Sequence, residues 1–162
     1  MQQETYCRVP ITSRDGNIVA EALVDPEDFD RIAAHPWCLR WGYARRHVKH
    51  PDGKWRPIHM HREIIGEPPP GMTVDHVNRN PLDNRRENLR LIPRAGNQQN
   101  LTPYRGARSR HRGVCLHKAS GLWFASATIK GVRHCIGYFR DEDEAGEAAR
   151  QWRLENMPYA TD

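Results

Sequence analysis

The sequence predicts an α+β protein made of two small modules, and three observations lead to this prediction. Residues 72–101 follow a strand, loop, strand, helix pattern, residues 112–156 follow a pattern of three short strands and a helix, and the charge balance changes between the two segments. The 162 residues suffice for one domain or two small ones, and 38% hydrophobic residues are few for one thick core.

Membrane and exported classes are not expected. The sequence has no stretch of about 20 apolar residues, which a helix needs to cross a bilayer. Its first residues carry neither the basic segment nor the apolar segment of a secretory signal. We therefore expect a cytoplasmic protein without a membrane partner.

The four cysteines are scattered along the chain: Cys7, Cys38, Cys115 and Cys135. Structural zinc sites usually draw their ligands as closely spaced pairs, and no C-x-x-C pair is present. His134 and Cys135 could join Cys115 and His117 around an ion only if they faced the same way, but adjacent residues on a strand point to opposite faces. The sequence therefore predicts four reduced thiols and no zinc site.

The positive charge is concentrated in the second module. The chain carries a net charge of +5, and residues 105–140 hold eight basic residues and no acidic one. Such a window is the electrostatic footprint of a polyanion partner, most commonly nucleic acid, whereas a basic face that serves solubility would intersperse both signs. A smaller basic run covers residues 45–62, where Asp52 is the one acid.

Turn and cap residues divide the first half of the chain into short elements. Asp25 and Pro26 are typical of a helix start, because aspartate caps a helix and proline is favoured at its first position. The predicted elements, in order, are a hairpin over 8–25, a helix from 25 to about 34, a strand over 37–48, its partner strand over 55–61 and a short helix over 60–65.

Polar residues stand at defined points in residues 72–101. The predicted elements are a strand over 72–77, a polar loop over 78–88, a strand over 89–92 and a helix over 94–101. On that helix Asn97 and Asn100 share one side, because they are three residues apart. The pattern predicts a scaffold for a site and a poor hydrophobic core.

The residue types of this segment fit phosphodiester hydrolysis. Asp75 and His76 point opposite ways on a strand, so they have separate roles. A carboxylate and an asparagine carbonyl are the hard oxygen ligands that Mg²⁺ or Mn²⁺ prefers, whereas a neutral histidine can take a proton from water near neutral pH. Taken singly, His76 could equally be a loop histidine and the asparagines could be turn formers.

Together, Asp75-His76, Asn88 and Asn97 resemble the HNH endonuclease motif, and the surrounding VDHVNRNPLDNRRENLRLI strengthens the match. The resemblance is to small phage- and intron-borne homing endonucleases. It implies a nuclease domain at residues 1–104, with a β-rich extension at 1–60 and a ββα-metal core at 72–101.

The resemblance also implies a role for each motif residue. The implied catalytic set is His76, Asn88 and Asn97, with His76 as the general base. Asp75 and Asn97 would bind one divalent ion, Mg²⁺ or Mn²⁺, with Asn100 as an alternative to Asn97. Asn88 would hold the loop and orient the imidazole, because an amide can bond backbone groups across a loop.

The second module has its own resemblance. Predicted strands cover residues 112–118, 122–130 and 132–139, and Asp141 is predicted to cap the last helix, with Trp123 in the core. The motifs RGV at 112–114, GLWFA at 121–125 and IGYF at 136–139 resemble the AP-two or ethylene-response-factor type of plant DNA-binding domain. This implies a domain at 105–162 made of a three-stranded antiparallel sheet packed on one helix.

The two resemblances imply a metal-dependent enzyme that hydrolyses double-stranded DNA to a 5′-phosphate and a 3′-hydroxyl. It would nick one strand as a monomer without an obligate protein partner, inside a bacterial or phage-infected cell. Two alternatives stay open, a non-catalytic sequence-specific DNA-binding regulator and a nuclease of RNA or structured junctions. The predicted DNA contacts are Arg45, Arg46, Arg62, Arg79, Arg112, His117, Lys118, Lys130 and Arg133.

Overall fold

The computed structural model describes residues 6–100 and 106–161, without the side chains of Ala95, Asn97 and Gln98. The fold is mixed α+β, with small antiparallel sheets and few helices, as the sequence predicts. The chain divides into two compact units, Met1–Pro93 and Arg94–Asp162. The predicted domain boundary between residues 104 and 105 lies outside the described residues.

An antiparallel hairpin and a helix open the first unit, as predicted. Strand β1 (Cys7–Thr12) pairs with β2 (Ile18–Val24), and helix α1 (Pro26–Ala33) follows. The alternation of apolar residues buries one face of each strand, because successive side chains point to opposite faces. Asp25 precedes α1, but its side chain makes no capping hydrogen bond to the helix.

A three-stranded antiparallel sheet follows, in the order β3-β4-β5, where β3 is Cys38–Arg40, β4 is Tyr43–Lys49 and β5 is Trp55–His59. The prediction of one strand over residues 37–48 is therefore wrong. Trp41 and Gly42 both have positive φ angles, 51° and 84°, and turn the chain back on itself. Gly42 adopts such angles at little cost, which makes a tight turn available within an apparent strand.

Helix α2 (Met60–Ile65) leads into a second hairpin, in which β6 (Met72–His76) pairs with β7 (Leu89–Pro93). These elements agree with the sequence prediction. The loop between the strands ends in a 3-10 turn at Arg86–Asn88. The buried core of this unit contains Val9, Ile11, Ala22, Val24, Ile32, Trp37, Ala44, Met60, Ile64, Val74 and Leu89.

The second unit begins with helix α3 (Arg94–Asn97) and a 3-10 turn (Gln98–Asn100). Leu101, the predicted helix end, lies outside the described residues. The three predicted strands are present as β8 (Val114–His117), β9 (Leu122–Ile129) and β10 (Val132–Phe139), with β9 in the centre.

Helix α4 (Glu142–Asn156) closes the second unit and packs on the sheet. Asp141 caps it as predicted, because its carboxylate accepts the backbone N–H groups of Asp143 and Glu144. The core between sheet and helix is made mainly of small residues. It contains Val114, Ala125, Ala145 and Ala149, and Trp123 packs against it as predicted.

The four cysteines are free thiols, as expected. No group of three or more described His, Cys, Asp or Glu residues is arranged to hold a metal ion. Among the described helices, none combines the length and apolar character needed to cross a membrane.

Candidate active site

Asp75 and His76 are the last two residues of β6, and both are buried, with exposed fractions of 7% and 6%. Two polar residues at the end of a strand are costly to bury unless each has a partner. The surroundings of each side chain therefore indicate what it can do.

Asp75 has a charged partner that the sequence analysis did not identify. It lies opposite Arg90 in the hairpin, and the Arg90 guanidinium contacts Asp75 Oδ2 through Nε at 2.9 Å and Nη2 at 2.8 Å. Arg90 is itself one-quarter exposed. The pair gives the Asp75 carboxylate a counter-charge and fixes the direction of one of its oxygens.

The ring of His76 is held by Asn84. Nε2 of His76 lies 3.4 Å from Oδ1 of Asn84, a buried residue of the β6–β7 loop. Burial lowers the pKa of His76 below its ordinary value, although the Asn84 bond and the charges of Asp75 and Asp83 act in the opposite direction. The imidazole is therefore neutral at pH 7 and can act as a base.

Two further rings contact the His76 imidazole, and a third stacks on one of them. The His61 ring meets it edge to face at 5.2 Å between centroids, and the Tyr43 ring lies at 5.9 Å. His59 stacks on His61 at 5.3 Å. Burial, together with the charges of His76, His59 and Arg62, lowers the pKa of His61 to about 3. This ring cluster fills one side of the site with neutral aromatic groups.

Asn88 joins both ends of the β6–β7 loop. Its Oδ1 accepts the backbone N–H of Asn78 at 2.9 Å, and its Nδ2 donates to the backbone carbonyl of Asp83 at 2.7 Å. The backbone carbonyl of Asn88 also accepts the N–H of Val77, directly after His76. This is the geometry expected of an amide that holds a loop closed, and it leaves the proposed catalytic role of Asn88 as a prediction.

Asp83 is the acidic centre of the same loop. Burial alone would raise its pKa, but the Arg85 guanidinium and the Asn78 amide donate to its carboxylate and hold the pKa below the ordinary range. Asn84, the next residue, carries a buried Nδ2 without a hydrogen-bond partner among the described side-chain atoms. A hydrogen-bond donor is thus available beside the His76 ring.

The loop is also attached to the N-terminal elements. Leu23 of β2 accepts the backbone N–H of Asn84 and donates its own N–H to the carbonyl of Leu82, both at 2.8 Å. Arg86 donates to buried Asp28 of α1 through Nε at 2.8 Å and Nη2 at 3.0 Å. Asp25 accepts the backbone N–H of Arg86 at 2.7 Å instead of capping α1. The hairpin and α1 therefore support the loop that carries the candidate site.

The structure describes the two predicted metal ligands after β7, Asn97 and Asn100, to different extents. The side chain of Asn97 lies outside the described part, so its predicted ligand role stays a prediction. Asn100 is buried, and its Oδ1 accepts the hydroxyl of Thr161 within the second unit. An amide oxygen has two lone pairs and can accept this bond and still bind a metal ion, so the choice between Asn97 and Asn100 stays a prediction.

The basic residues predicted to contact DNA in the first unit have different surroundings. Arg46 forms a two-point ion pair with Glu63, with both contacts at 2.8 Å, and Arg62 pairs with Glu67 at 2.9 Å. Arg79 lies in the β6–β7 loop with a positive φ of 63°. Arg45 is half-buried on β4. None of these contacts tests DNA binding.

Most of the predicted contacts of the second unit are exposed, either on the strands of the sheet or in its turns. Lys118, Lys130 and Arg133 are exposed, and Arg133 lies over the Phe124 ring at 5.2 Å. Exposed His117 bonds Ser120 at 2.8 Å. The predicted contact that is least exposed is Arg112, which donates to the backbone carbonyl of Gln99 at 2.6 Å.

Sequence reasoning missed four side chains of the site: Asn84, Arg90, His61 and Tyr43. A signal existed for Arg90, because an acidic and a basic residue on paired strands commonly lie opposite each other. Asn84 lies in a loop rich in Asn and Asp, and the sequence does not distinguish which of these residues contacts His76. His61 and Tyr43 reach the site only through tertiary packing, which no local pattern indicates.

Comparison with known proteins agrees with this geometry. Residues 58–99 match the HNH endonuclease family, and they include both strands of the hairpin that carries Asp75 and His76. The chain therefore contains an HNH endonuclease domain at residues 58–99.

A curated phage protein is also similar to the chain. Protein 3.8 of Escherichia phage T7 is 30% identical to it over 88 residues, which cover 54% of this chain and 70% of the phage protein. The chain belongs to the same family as that phage protein. No solved structure matches the chain.

Proposed function

We propose that the protein is a metal-dependent endonuclease that nicks double-stranded DNA, leaving a 5′-phosphate and a 3′-hydroxyl. The observation that carries the proposal is the buried His76, neutral at pH 7 and hydrogen-bonded to Asn84, next in sequence to a buried carboxylate within the HNH-matching segment. A neutral imidazole held in one direction is what a general base requires.

In the proposal, Nδ1 of His76 is the nitrogen that acts, and the Asn84 bond supports this choice. An amide oxygen can only accept, so Nε2 of His76 carries the proton and Nδ1 carries the lone pair. In the proposed reaction Nδ1 takes the proton of the attacking water. The neighbouring Nδ2 of Asn84 can donate to an oxygen of that water or of the phosphate.

A divalent ion fits the donor chemistry of the site. Asp75 provides a buried carboxylate oxygen as one ligand, and the resemblance implies Asn97 as the second. Two protein oxygens suffice for Mg²⁺, which usually keeps several waters and binds substrate phosphate. When bound, the ion would stabilise the charge on the attacked phosphate and on the leaving oxygen. Arg90 would continue to neutralise the other side of the carboxylate.

In this proposal the ββα-metal core is residues 72–101, and the second unit serves as an AP-two-like DNA-binding module. The exposed Lys118, Lys130 and Arg133 would provide phosphate contacts.

A nicking assay tests the proposal. Supercoiled plasmid is incubated with the full chain and Mg²⁺ or Mn²⁺, and the same reaction is run with His76→Ala and with the exposed control His35→Gln. We expect open-circular DNA from the wild type and the control, and a loss of at least about 100-fold in His76→Ala. Undiminished nicking by His76→Ala would remove the assignment of the base. DNA binding without nicking would favour the regulator alternative.

A further inference from the structure

A cleft of about 640 Å³ opens in the first unit, beside the end of β3. β3 pairs with β4 only as far as Cys38 opposite Arg45, so the next residues of β4 extend past the end of β3. The turn after β1 and the segment before β3 complete the walls. The cleft is lined by Thr12, Ser13, Arg14, Pro36, Trp37, Cys38, Arg45, Arg46 and His47.

The charge of this lining is one-sided. It contains three arginines and a histidine, and no carboxylate. One arginine is neutralised from outside the cleft, because Arg46 forms its two-point pair with Glu63. For the other two arginines, exposed Arg14 and half-buried Arg45, the described part of the chain provides no carboxylate partner. A concave surface with this balance attracts anions.

Two donors in the same lining are buried without a partner. Among the side-chain atoms that the structure describes, Ser13 Oγ and Arg45 Nε have no hydrogen-bond partner. An unpaired guanidinium N–H is expensive, because charged donors lose strong bonds to water on burial. A hydroxyl and a guanidinium at one concave surface suit a ligand that offers several oxygens and negative charge.

The lining argues for a phosphate group and against a nucleobase. A base would need an exposed aromatic face to stack on. Trp37 is only 1% exposed, its indole N–H donates to the Ile32 carbonyl, and the Arg46 guanidinium lies over its ring. The polar side chains that line the cleft are thus hydrogen-bond donors and cations.

We propose that this cleft is a phosphate-binding site, separate from the HNH residues, in which Ser13, Arg14 and Arg45 hold one phosphate group. That the phosphate belongs to the backbone of the DNA substrate rests on the proposed function; the cleft chemistry alone would also accept free phosphate. In the DNA complex the site would anchor the first unit on the duplex without reading its sequence.

The first test uses inorganic phosphate and the full chain labelled with ¹⁵N. The Nε–H signal of Arg45, identified by its absence in Arg45→Met, is followed by NMR while phosphate or sodium chloride of equal ionic strength is added. We expect a saturable shift with phosphate, a weaker response in Arg14→Gln, and an unchanged response in Lys49→Met. Lys49 is the matched control, an exposed cation on β4 outside the cleft. Equal shifts with phosphate and chloride would overturn the site.

The second test uses a DNA duplex in EDTA, so that no cleavage is needed. The slope of log Kd against log salt should become less steep by about 1 in Arg14→Gln and in Arg45→Met, and should stay the same in Lys49→Met. A phosphate shift with this slope change identifies the DNA backbone as the source, and a phosphate shift without it identifies free phosphate. No specific shift and no slope change together would refute the proposal. Neither test depends on nicking, so an inactive protein that passes both would remove the proposed nuclease function and leave the cleft assignment in place.

Discussion

Asp75 and Arg90 lie directly opposite each other in the β6–β7 hairpin, and the guanidinium contacts Oδ2 of the carboxylate through two nitrogens, at 2.9 and 2.8 Å. The residue proposed to bind a cation therefore already has one cationic neighbour. A metal ion would interact with the same carboxylate as the guanidinium. Removing the guanidinium should therefore change how strongly a metal ion stabilises the protein.

Replacing Arg90 by Gln should destabilise the protein and increase its response to metal. Without the guanidinium a buried carboxylate loses its counter-charge, and we expect a loss of about 2 kcal/mol in the free energy of unfolding in EDTA. Mg²⁺ should restore part of this loss and stabilise Arg90→Gln more than the wild type. Urea unfolding with and without Mg²⁺ measures both effects. Arg56→Gln, which removes an exposed pair with Asp52, serves as the control. An equal Mg²⁺ response in both proteins would show that no ion competes for Asp75.

Replacing Asn84 by Ala should slow nicking through the His76 ring. The variant removes the acceptor that keeps the proton on Nε2, so we expect a loss of about 10-fold or more in kcat, with little change in KM for DNA. The tautomer of His76 is read from the ¹⁵N shifts of its ring in the same variant. A purely structural role for Asn84 would leave the tautomer unchanged in protein that is still folded.

The free energy of unfolding should decrease as the pH is lowered, and His61 should account for part of this decrease. Its pKa is about 3 in the folded chain and about 6.5 when unfolded, so the unfolded state binds the extra proton between these values. The free energy of unfolding is thus highest above pH 6.5 and decreases as pH falls toward 3, by up to about 1.4 kcal/mol per pH unit for this residue. Urea unfolding between pH 4.5 and 7.5 should give a shallower pH slope for His61→Gln than for the wild type. The exposed control His47→Gln should keep the wild-type slope, and a wild-type slope in His61→Gln would contradict the assignment.

The ion pair between α1 and the loop should be worth more than a surface pair. Asp28 is 2% exposed and accepts from both Arg86 and Arg31. Asp28→Asn removes this shared buried carboxylate, and Arg86 keeps only its pair with exposed Glu27. We expect a loss of about 3 kcal/mol in the free energy of unfolding, against less than about 0.5 kcal/mol for exposed Asp30→Asn. Thermal or urea unfolding of the two variants at pH 7 provides the comparison. Equal stabilities of the two variants would mean that the ion pairs of Asp28 contribute nothing measurable to the free energy of unfolding.

The exposed cations of the second unit should govern the salt dependence of DNA binding. Neutralising Lys118, Lys130 and Arg133 together should make the slope of log Kd against log salt less steep by about 3, since each lost phosphate contact reduces it by about 0.9. Arg150→Gln on α4 is the control, because that side chain is paired with Glu147 on the helix. Fluorescence anisotropy with a labelled duplex gives the slopes. An unchanged slope in the triple variant would place the DNA contacts elsewhere.

Local signals predicted most of the elements. The capped helix α4 and the strands β8, β9 and β10 follow from capping residues and alternation that act within a few positions. The strand predicted over residues 37–48 failed because a single glycine after Trp41 permits a reversal that the apolar pattern does not reveal.

The candidate site was predictable in its chemistry but only partly in its surroundings. Asp75 and His76 were singled out because, together with Asn88 and Asn97, they resemble the HNH motif. The pairing of Asp75 with Arg90 depends on the strand register. The contact of His76 with His61 depends on tertiary packing. The length of the β6–β7 loop left the register open, and packing between distant segments has no sequence period. Those partners therefore required coordinates.

The backbone bonds between Leu23 and the β6–β7 loop have a practical consequence for engineering. The segment that matches the HNH family, residues 58–99, does not contain β2 or α1, which hold the outer edge of the loop through Leu23 and Asp28. Excised alone or transplanted onto another DNA-binding protein, that segment would leave behind the strand and helix that brace it. A shortened chain that keeps the HNH segment together with β2 and α1 has to begin before Ile18.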